Sequence, residues 1–375
     1  MTTTRIIHTA DWQLGKPFGR FPQEVRAALA EARLDAIDRI AEIGAGNRAA
    51  HVLVAGDVFD NTEPGDRIVM QALSRMERSP ATWWLMPGNH DHARAGGLWS
   101  RVRANAPGNV RVVDLPQPIE MGTGAWLLPA PLEHRKTALD PTAAMVDMAT
   151  PPGALRIGLA HGSITEFGAT GESANLIPPD RARSAGLDYL ALGDWHGHLQ
   201  IGERTAYSGT PETDRFGRDE AGSCISAEIG SGEAPVVSRV STGRYRWLSR
   251  RWITNCVGDL EREIEDLRSE LRLSDTLLFL KLAGVASIAE RVAITTTLAD
   301  RLAHEMRHLD VDLEGLATRP TDEDIARIDI RGALAVAAAN LQARADAGGP
   351  EARTARSALE RLYVEALRHD VETER

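Results

Sequence analysis

The first half of the chain alternates short apolar runs with longer stretches of helical period, the signature of βαβ units and a parallel-rich α/β fold. Strands are predicted at Arg5–Thr9, His51–Ala55, Thr82–Met86, Ala125–Leu128, Leu155–Ala160 and Asp188–Leu192. Between the first two, Val25, Ala28, Leu29, Ala32, Ala36, Ile37, Ile40 and Ile43 recur at helical spacing, which gives one helix a face to lay on a sheet. A second helix is predicted after Pro64, with Ile68, Val69, Ala72, Leu73 and Met76 inward.

From Tyr207 to about Trp252 the pattern changes to paired strands, SCISAEI and PVVSRV, joined across a turn at Ser231-Gly232. Beyond them Leu260–Leu273 reads as a helix, Leu277–Leu282 as a strand and Ile288–Met306 as a helix, a small α+β module. The tail from Ile330 to Arg375 has helical period broken at Gly348-Gly349-Pro350, hence two helices. The expected organisation is a main domain over residues 1–250, a small domain over 251–330 and a helical segment over 331–375 that is a candidate partner-binding element.

Composition narrows the class. With 375 residues, 43% of them hydrophobic, the chain can bury a large core. Its two cysteines, Cys224 and Cys256, are too few for a disulfide framework and wrongly spaced for a thiolate zinc site, which fits a reducing, cytoplasmic setting. No apolar run is long enough to span a bilayer, and MTTTRIIHTADW lacks a signal-peptide pattern, so no membrane association is expected. A formal net charge of -10 argues against coating nucleic acid by bulk electrostatics. It leaves room for a local basic path in RYRWLSRRW, where Arg244, Arg246, Arg250 and Arg251 alternate with Tyr245, Trp247 and Trp252. That mixture suits phosphates and stacked bases, and suits equally a strand whose aromatics face the core.

The chemistry lies in five clusters, each where a predicted strand runs out into a loop: Asp11 in HTADWQLG, Asp57 in GDVFD, Asn89 and His90 in GNHD, His161 in AHG, and His196 with His198 in GDWHGH. Loops leaving the carboxyl ends of strands in an open α/β sheet meet on one edge, so these residues become neighbours. Asp57 can bridge two cations, Asn89 adds a carbonyl oxygen, and the imidazoles complete the shells. Mixed nitrogen and oxygen ligation suits Mn²⁺, Fe²⁺ or Zn²⁺ better than Ca²⁺. Two such ions about 3.5–4 Å apart polarise a phosphoryl group and lower the pKa of a shared water. His90, next to Asn89, is the candidate to stabilise or protonate the leaving oxygen, and Asp60 the carboxylate that fixes its ring. His8 and His92 lie beside the clusters, while His51, His134, His304, His308 and His369 read as surface or capping residues.

At these residues the chain resembles the calcineurin-like metallophosphoesterases, whose pattern is D-x-H, G-D-x-x-D, G-N-H-[DE], H and G-H-x-H. HTADWQLG, GDVFD and YSGTPE are similar to the DNA repair exonuclease branch of the SbcD and YhaO type. The resemblance implies a four-layer α/β/β/α sandwich with a small α+β cap and C-terminal helices. It implies a first metal on Asp11, Gln13, Asp57 and His198 and a second on Asp57, Asn89, His161 and His196, with Mn²⁺ the leading metal and Fe²⁺, Zn²⁺ or Mg²⁺ the alternatives. It makes His90 catalytic, with Asp60 as its partner. It also implies DNA as substrate, an SbcC-like ATPase subunit and a homodimer. Gln13 departs from the pattern, offering an amide where the family places an imidazole, so a weaker first metal is expected. Asp194 and Trp195, ahead of the histidine pair, receive no role.

Three functions follow in order: a metal-dependent DNA exo- or endonuclease; a phosphatase or small-nucleotide phosphodiesterase, since one metal core serves many esters; and a catalytically weak DNA-end-binding or scaffold subunit impaired at Gln13.

Overall fold

The computed structural model describes residues 3–122, 124–165, 174–217, 219–319, 321, 324 and 333–373, with side chains described as far as Glu365. The chain divides into two compact units, Met1–Asp214 with Glu220–Arg246, and Arg215–Asp219 with Trp247–Arg375.

In the first unit, strands β1 (Thr3–Thr9), β2 (His51–Ala55), β3 (Thr82–Met86) and β4 (Val110–Val112) pair in parallel. A second sheet is built from β5 (Ile119–Gly122), β6 (Ala125–Ala130) and β7 (Leu155–His161). After the two-residue pair β8 (Ser163–Ile164) and β9 (Leu176–Ile177), this sheet is extended by β10 (Tyr189–Gly193), β11 (Leu199–Ile201) and β12 (Thr205–Tyr207). The hairpin β13 (Ser223–Gly230) and β14 (Val236–Ser241) then returns to the first sheet, with β13 antiparallel to β1. Among the described residues each sheet has six strands, in the orders β14-β13-β1-β2-β3-β4 and β11-β12-β10-β7-β6-β5.

The predicted strands are present, and their corrected ends matter for the site. Leu155–Ala160 extends to include His161, and Asp188–Leu192 shifts to end on Gly193. Strands β2 and β10 are buried along their whole length, as expected for parallel strands covered on both faces. Three apolar layers account for this burial. Helices α1 (Gln23–Gly46), α2 (Asp66–Glu77) and α3 (Leu98–Asn105) supply Leu34, Ile37, Ile40, Val69, Leu73 and Trp99, which pack with Ile7, Val52 and Val54 on one side of the first sheet. Its other side supplies Ile6, Leu53, Trp84 and Met86, which pack with Leu127, Ile157, Leu159 and Tyr189 of the second sheet. The outer side of the second sheet is covered by a 3₁₀ turn at Ala143–Val146 and the four-residue helix α4 (Arg181–Ser184), through Met145, Met148, Ala182 and Leu187. The fold is the four-layer α/β/β/α sandwich, with a thin fourth layer.

In the second unit β15 (Arg246–Ile253), β16 (Thr276–Ala286) and β17 (His308–Thr318) form a three-stranded sheet covered by α5 (Val257–Glu270) and α6 (Ile288–Thr297). Strand β17 escapes the apolar-run reading because acidic positions interrupt its sequence, HLDVDLEGLAT. The tail folds as α7 (Ala333–Asp346) and α8 (Pro350–Thr373), whose Ala338, Leu359 and Tyr363 pack against Ile288 of α6. The boundary expected near residue 330 lies outside the described residues. Among the described residues no helix is long and apolar enough to cross a membrane.

Candidate metal centre

Five strand ends, from both sheets of the first unit, deliver the polar clusters to one edge. Asp11 follows β1, Asp57 follows β2, Asn89 follows β3, His161 closes β7 and Asp194 follows β10. The loops are zipped together: the Asp11 N–H donates to the Gly56 carbonyl at 3.1 Å, that of Gln13 to the Asp57 carbonyl at 2.8 Å, and that of Gly162 to the Gly193 carbonyl at 3.2 Å. Asp11, Gln13, Asp57 and Asp194 all have positive φ, at 56°, 43°, 54° and 101°. Non-glycine residues held so cost about 1–3 kcal/mol each, a concentration of strain typical of functional sites. Glycine is required where these loops touch: a Cβ on Gly88 would lie 2.2 Å from Asp57 Oδ1, and one on Gly193 1.9 Å from the Ala55 carbonyl.

Three histidines are locked with Nε2 turned inward. His161 Nδ1 lies 2.8 Å from the Ala55 carbonyl and His90 Nδ1 3.0 Å from the Asp60 carbonyl. A carbonyl only accepts, so each Nδ1 carries the proton and Nε2 keeps its lone pair in the neutral ring. His196 Nδ1 sits 3.2 Å from Asp214 Oδ2, which orients that ring in the same way. Inside, His161 Nε2 is 3.5 Å from Asp57 Oδ1 and 3.8 Å from Asp194 Oδ1, and Asn89 Nδ2 reaches Asp194 Oδ1 at 3.5 Å. On the other side His196 Nε2 is 4.0 Å from Asp11 Oδ1 and 3.5 Å from Gln13 Nε2. The ligand atoms of Asp11, Asp57 and His161 lie within 4.8 Å of one another.

These residues fit divalent cations. Asn89 Oδ1 and His161 Nε2 are buried and have no hydrogen-bond partner within the protein; His161 Nε2 faces Asp57 and Asp194, and Asn89 turns its Nδ2 toward Asp194. A buried acceptor such as Asn89 Oδ1 is costly without a donor and needs a cation or water to satisfy it, and His161 Nε2, facing two carboxylates, needs a proton or a cation. Asp57 would hold an ion at either position, with Asn89, His161 and Asp194 on one side and Asp11 and His196 on the other.

The structure brings Asp11, Gln13, Asp57, Asn89, His90, His161 and His196 together but moves two expectations. Among the described residues His198 has no hydrogen bond or ion pair to the cluster; its Nδ1 is buried without a partner, and its titratable neighbours are Arg239, Glu220 and His8. Asp194 stands instead beside His161 and Asn89, and His196 beside Asp11, so the pair at this strand end is Asp194 and His196. The signal was in the sequence: Gly193 is the last residue of the strand, and the pattern G-H-x-H counted from it falls on positions 194 and 196. The partner of His90 is the Asp60 backbone carbonyl, in place of its carboxylate. Three further residues were missed. Asp91 accepts from the Gly88 and Phe59 N–H groups at 2.7 and 3.0 Å and clamps the second loop to the third. Asp214 and buried Arg33, which donates to the Trp12 carbonyl at 2.5 Å, support the first loop. Asp91 is the last residue of GNHD, so its signal lay in that motif, whereas Asp214 and Arg33 lie in none of the five clusters.

Among the remaining histidines, His8 is fully buried under the site against the Tyr189 hydroxyl at 3.0 Å, and His92 contacts the Asn89 carbonyl at 3.3 Å. His51, expected at the surface, is buried in β2 and accepts from Trp84 Nε1 at 3.3 Å. His134 and His304 are exposed, His308 is half-buried, and the side chain of His369 lies outside the described residues. In the arginine segment Tyr245, Trp247 and Trp252 are 2%, 1% and 5% exposed, so their faces are spent on packing. Arg250 pairs with Asp219, Arg244 lies over the Tyr245 ring at 5.3 Å, and Arg246 and Arg251 are exposed.

Charge is concentrated at the cluster. Burial would lower the His161 imidazole, but Asp57, Asp11 and Asp194 outweigh it and raise its pKa to about 9. Burial raises Asp11 to about 6 against the pull of His196 and His161. Burial and then the charge of Asp57 raise Asp91 to about 7. Burial also works against a charge on Asp214, yet the hydrogen bond and charge of His196, with Arg33 and Lys16, hold it far below the carboxylate range.

Residues 4–179 match the calcineurin-like phosphoesterase family. Over these residues the chain is similar to the calcineurin-like phosphoesterases, a class of metal-dependent hydrolases that act on phosphoester bonds. It is similar to the D subunit of the SbcCD nuclease of Bacillus subtilis strain 168, 33% identical over 92 residues, and to its counterpart in Rhodobacter capsulatus, 34% identical over 97 residues. Each match covers 24% of this chain and 22% of the relative's length. A solved structure of TT1561 from Thermus thermophilus aligns with a TM-score of 0.39 at 12% identity, over 56% of this chain and 90% of that one.

Proposed function

We propose that the protein is a metal-dependent phosphodiesterase that cleaves DNA, using Mn²⁺ and working with an SbcC-like ATPase subunit as part of DNA repair or processing. The observation that carries the hydrolase reading is the convergence of the orphaned Asn89 Oδ1 and His161 Nε2 with Asp57 and Asp194 at one sheet edge. The similarity to the D subunit of the SbcCD nuclease supports DNA as the substrate.

Bound divalent cations would supply Lewis acidity to the phosphoryl oxygens and to the attacking water. The chain supplies the rest. Asp57 Oδ1 lies 3.5 Å from His161 Nε2 and also accepts from the His90 N–H at 2.9 Å, which fixes the start of the third loop. His90 keeps Nε2 4.0 Å from Asp57 Oδ2, and its side chain is 32% exposed, open to an incoming phosphate. With Nδ1 tied to the Asp60 carbonyl, Nε2 is the atom that would take up a proton from solvent and, from the resulting imidazolium, pass it to the leaving oxygen, returning the ring to its neutral form.

The test is Mn²⁺-dependent cleavage of end-labelled single- and double-stranded DNA, run beside chromogenic phosphodiesters and phosphomonoesters with a His90→Ala control. Cleavage of DNA that the substitution abolishes supports the nuclease. Hydrolysis of the small esters alone transfers the protein to the phosphatase or nucleotide class, a reading favoured by the burial of Tyr245, Trp247 and Trp252, which removes them as base-stacking platforms. Silence on every substrate leaves a DNA-end-binding or scaffold subunit.

A further inference from the structure

The two sides of the metal centre are not equivalent, and the reason is a lysine. Lys16 Nζ lies 2.7 Å from Gln13 Oε1 and 2.5 Å from Asp214 Oδ2. An ammonium has only donors, so the atom of Gln13 facing Lys16 must be its oxygen, and the NH₂ group is forced toward the cluster. There it stands 3.5 Å from His196 Nε2, while His196 Nδ1 is held by Asp214. An amide NH₂ cannot ligate a cation. The Asp11 carboxylate is engaged as well, accepting from the Asp194 N–H at 3.2 Å on both oxygens. Among the described residues, no side-chain atom of Asp11, Gln13 or His196 is buried without a partner, whereas Asn89 and His161 on the opposite side each have one.

We propose that the Lys16 ammonium, seated between Gln13 and Asp214, stands in for the first cation, so that the centre binds one divalent ion tightly, on the side of Asp57, Asn89, His161 and Asp194. Lys16 brings a fixed positive charge to the site, and Gln13 turns away the oxygen that a metal would need. The first position then fills only at high metal concentration. This inference rests on the metallophosphoesterase reading of the site.

The test uses the full-length, metal-stripped protein titrated with Mn²⁺. Bound metal is counted by elemental analysis after gel filtration, and the metal environment is read by electron paramagnetic resonance. The expected result is one tightly held Mn²⁺ per chain with the spectrum of an isolated ion. Lys16→Met should admit a second Mn²⁺ on the order of tenfold more tightly than the unsubstituted protein does, the scale for removing a unit positive charge a few ångströms from a dication. Gln13→His combined with Lys16→Met should give an exchange-coupled pair. If Lys16→Met does not fold, Lys16→Gln retains a donor toward Asp214 without the charge and carries the same expectation. Two equally tight, coupled ions in the unsubstituted protein would overturn the proposal, as would a count that stays at one in every folded Lys16 variant. Failure to retain any Mn²⁺ would instead remove the metal-centre reading on which the proposal depends.

Discussion

The two halves of the metal centre face each other across Asp57 and are closed by different means. On the side of Asn89, His161 and Asp194, Asn89 Oδ1 and His161 Nε2 are buried without a hydrogen-bond partner, while Asp194 accepts from Ser163 and Asn89. On the side of Asp11, Gln13 and His196, the side chains are tied to the Asp194 N–H, Lys16 and Asp214. Orphaned acceptors mark where an ion belongs, because their desolvation is otherwise uncompensated. Satisfied ones mark where the chain has supplied its own charge. A motif that predicts two equivalent ligand sets can thus fold into a centre with one open side and one closed side.

The largest expected effect comes from Asp57, which both sides share. Asp57→Asn should abolish tight Mn²⁺ binding and reduce hydrolysis by on the order of 10³–10⁴-fold, the equivalent of several kcal/mol of charge stabilisation. Retained stoichiometric Mn²⁺ in that variant would break the picture of a shared carboxylate. His90→Ala should lower the rate by about 10²–10³-fold with the metal count unchanged, which separates proton transfer from ligation. A loss of metal in parallel with rate would make His90 structural.

pH sharpens the open side. In the metal-free protein His161 is raised from its ordinary 6.5 to about 9, so its protonated ring contributes stability fully below pH 6.5 and loses it as pH rises through 9. Cation binding must displace that proton, so Mn²⁺ affinity should rise by up to about tenfold per unit between pH 7 and 9. Calorimetry in buffers of different ionisation heat should show a proton released on binding. An affinity flat over that range would mean His161 is not a ligand.

The closed side is probed by Asp214→Asn, which loosens both His196 and Lys16. We expect activity to fall about 10–100-fold, as for other residues that orient a site's side chains, while the tightly held Mn²⁺ remains. Loss of that ion would show that the two sides are coupled. The smallest effect should come from Arg250→Ala in the strand of buried aromatics. It removes the half-exposed pair with Asp219, a contact on the order of 0–1 kcal/mol, and should leave the salt dependence of DNA binding unchanged. A clearly reduced salt slope would mean that Arg250 contacts phosphate.

The legible part of the fold was the part governed by short-range pattern. Runs such as HVLVA and TWWLM are too apolar for anything but strands buried on both faces, and their ends placed Asp57 and Asn89 at the right edge. Helix α1 was readable from its apolar period, yet Arg33 in its middle is buried beneath the first loop, which a charged residue on a helix does not announce. Strand β17 was missed because acidic residues alternate within it, and the pair expected at His196 and His198 falls two positions earlier, at Asp194 and His196, because the strand end lies at Gly193.

By itself the sequence determined the alternation of elements, the apolar layers and which residue types arrive at strand ends, because these depend on periodicity and local sterics. Only the tertiary structure decided which groups meet across 100 or more positions of chain, as His161 with the Ala55 carbonyl and Lys16 with Asp214 do. Those encounters settle which lone pairs are satisfied and which remain for a cation. That distinction depends on distances of a few ångströms between loops of different strands, and no local pattern encodes it.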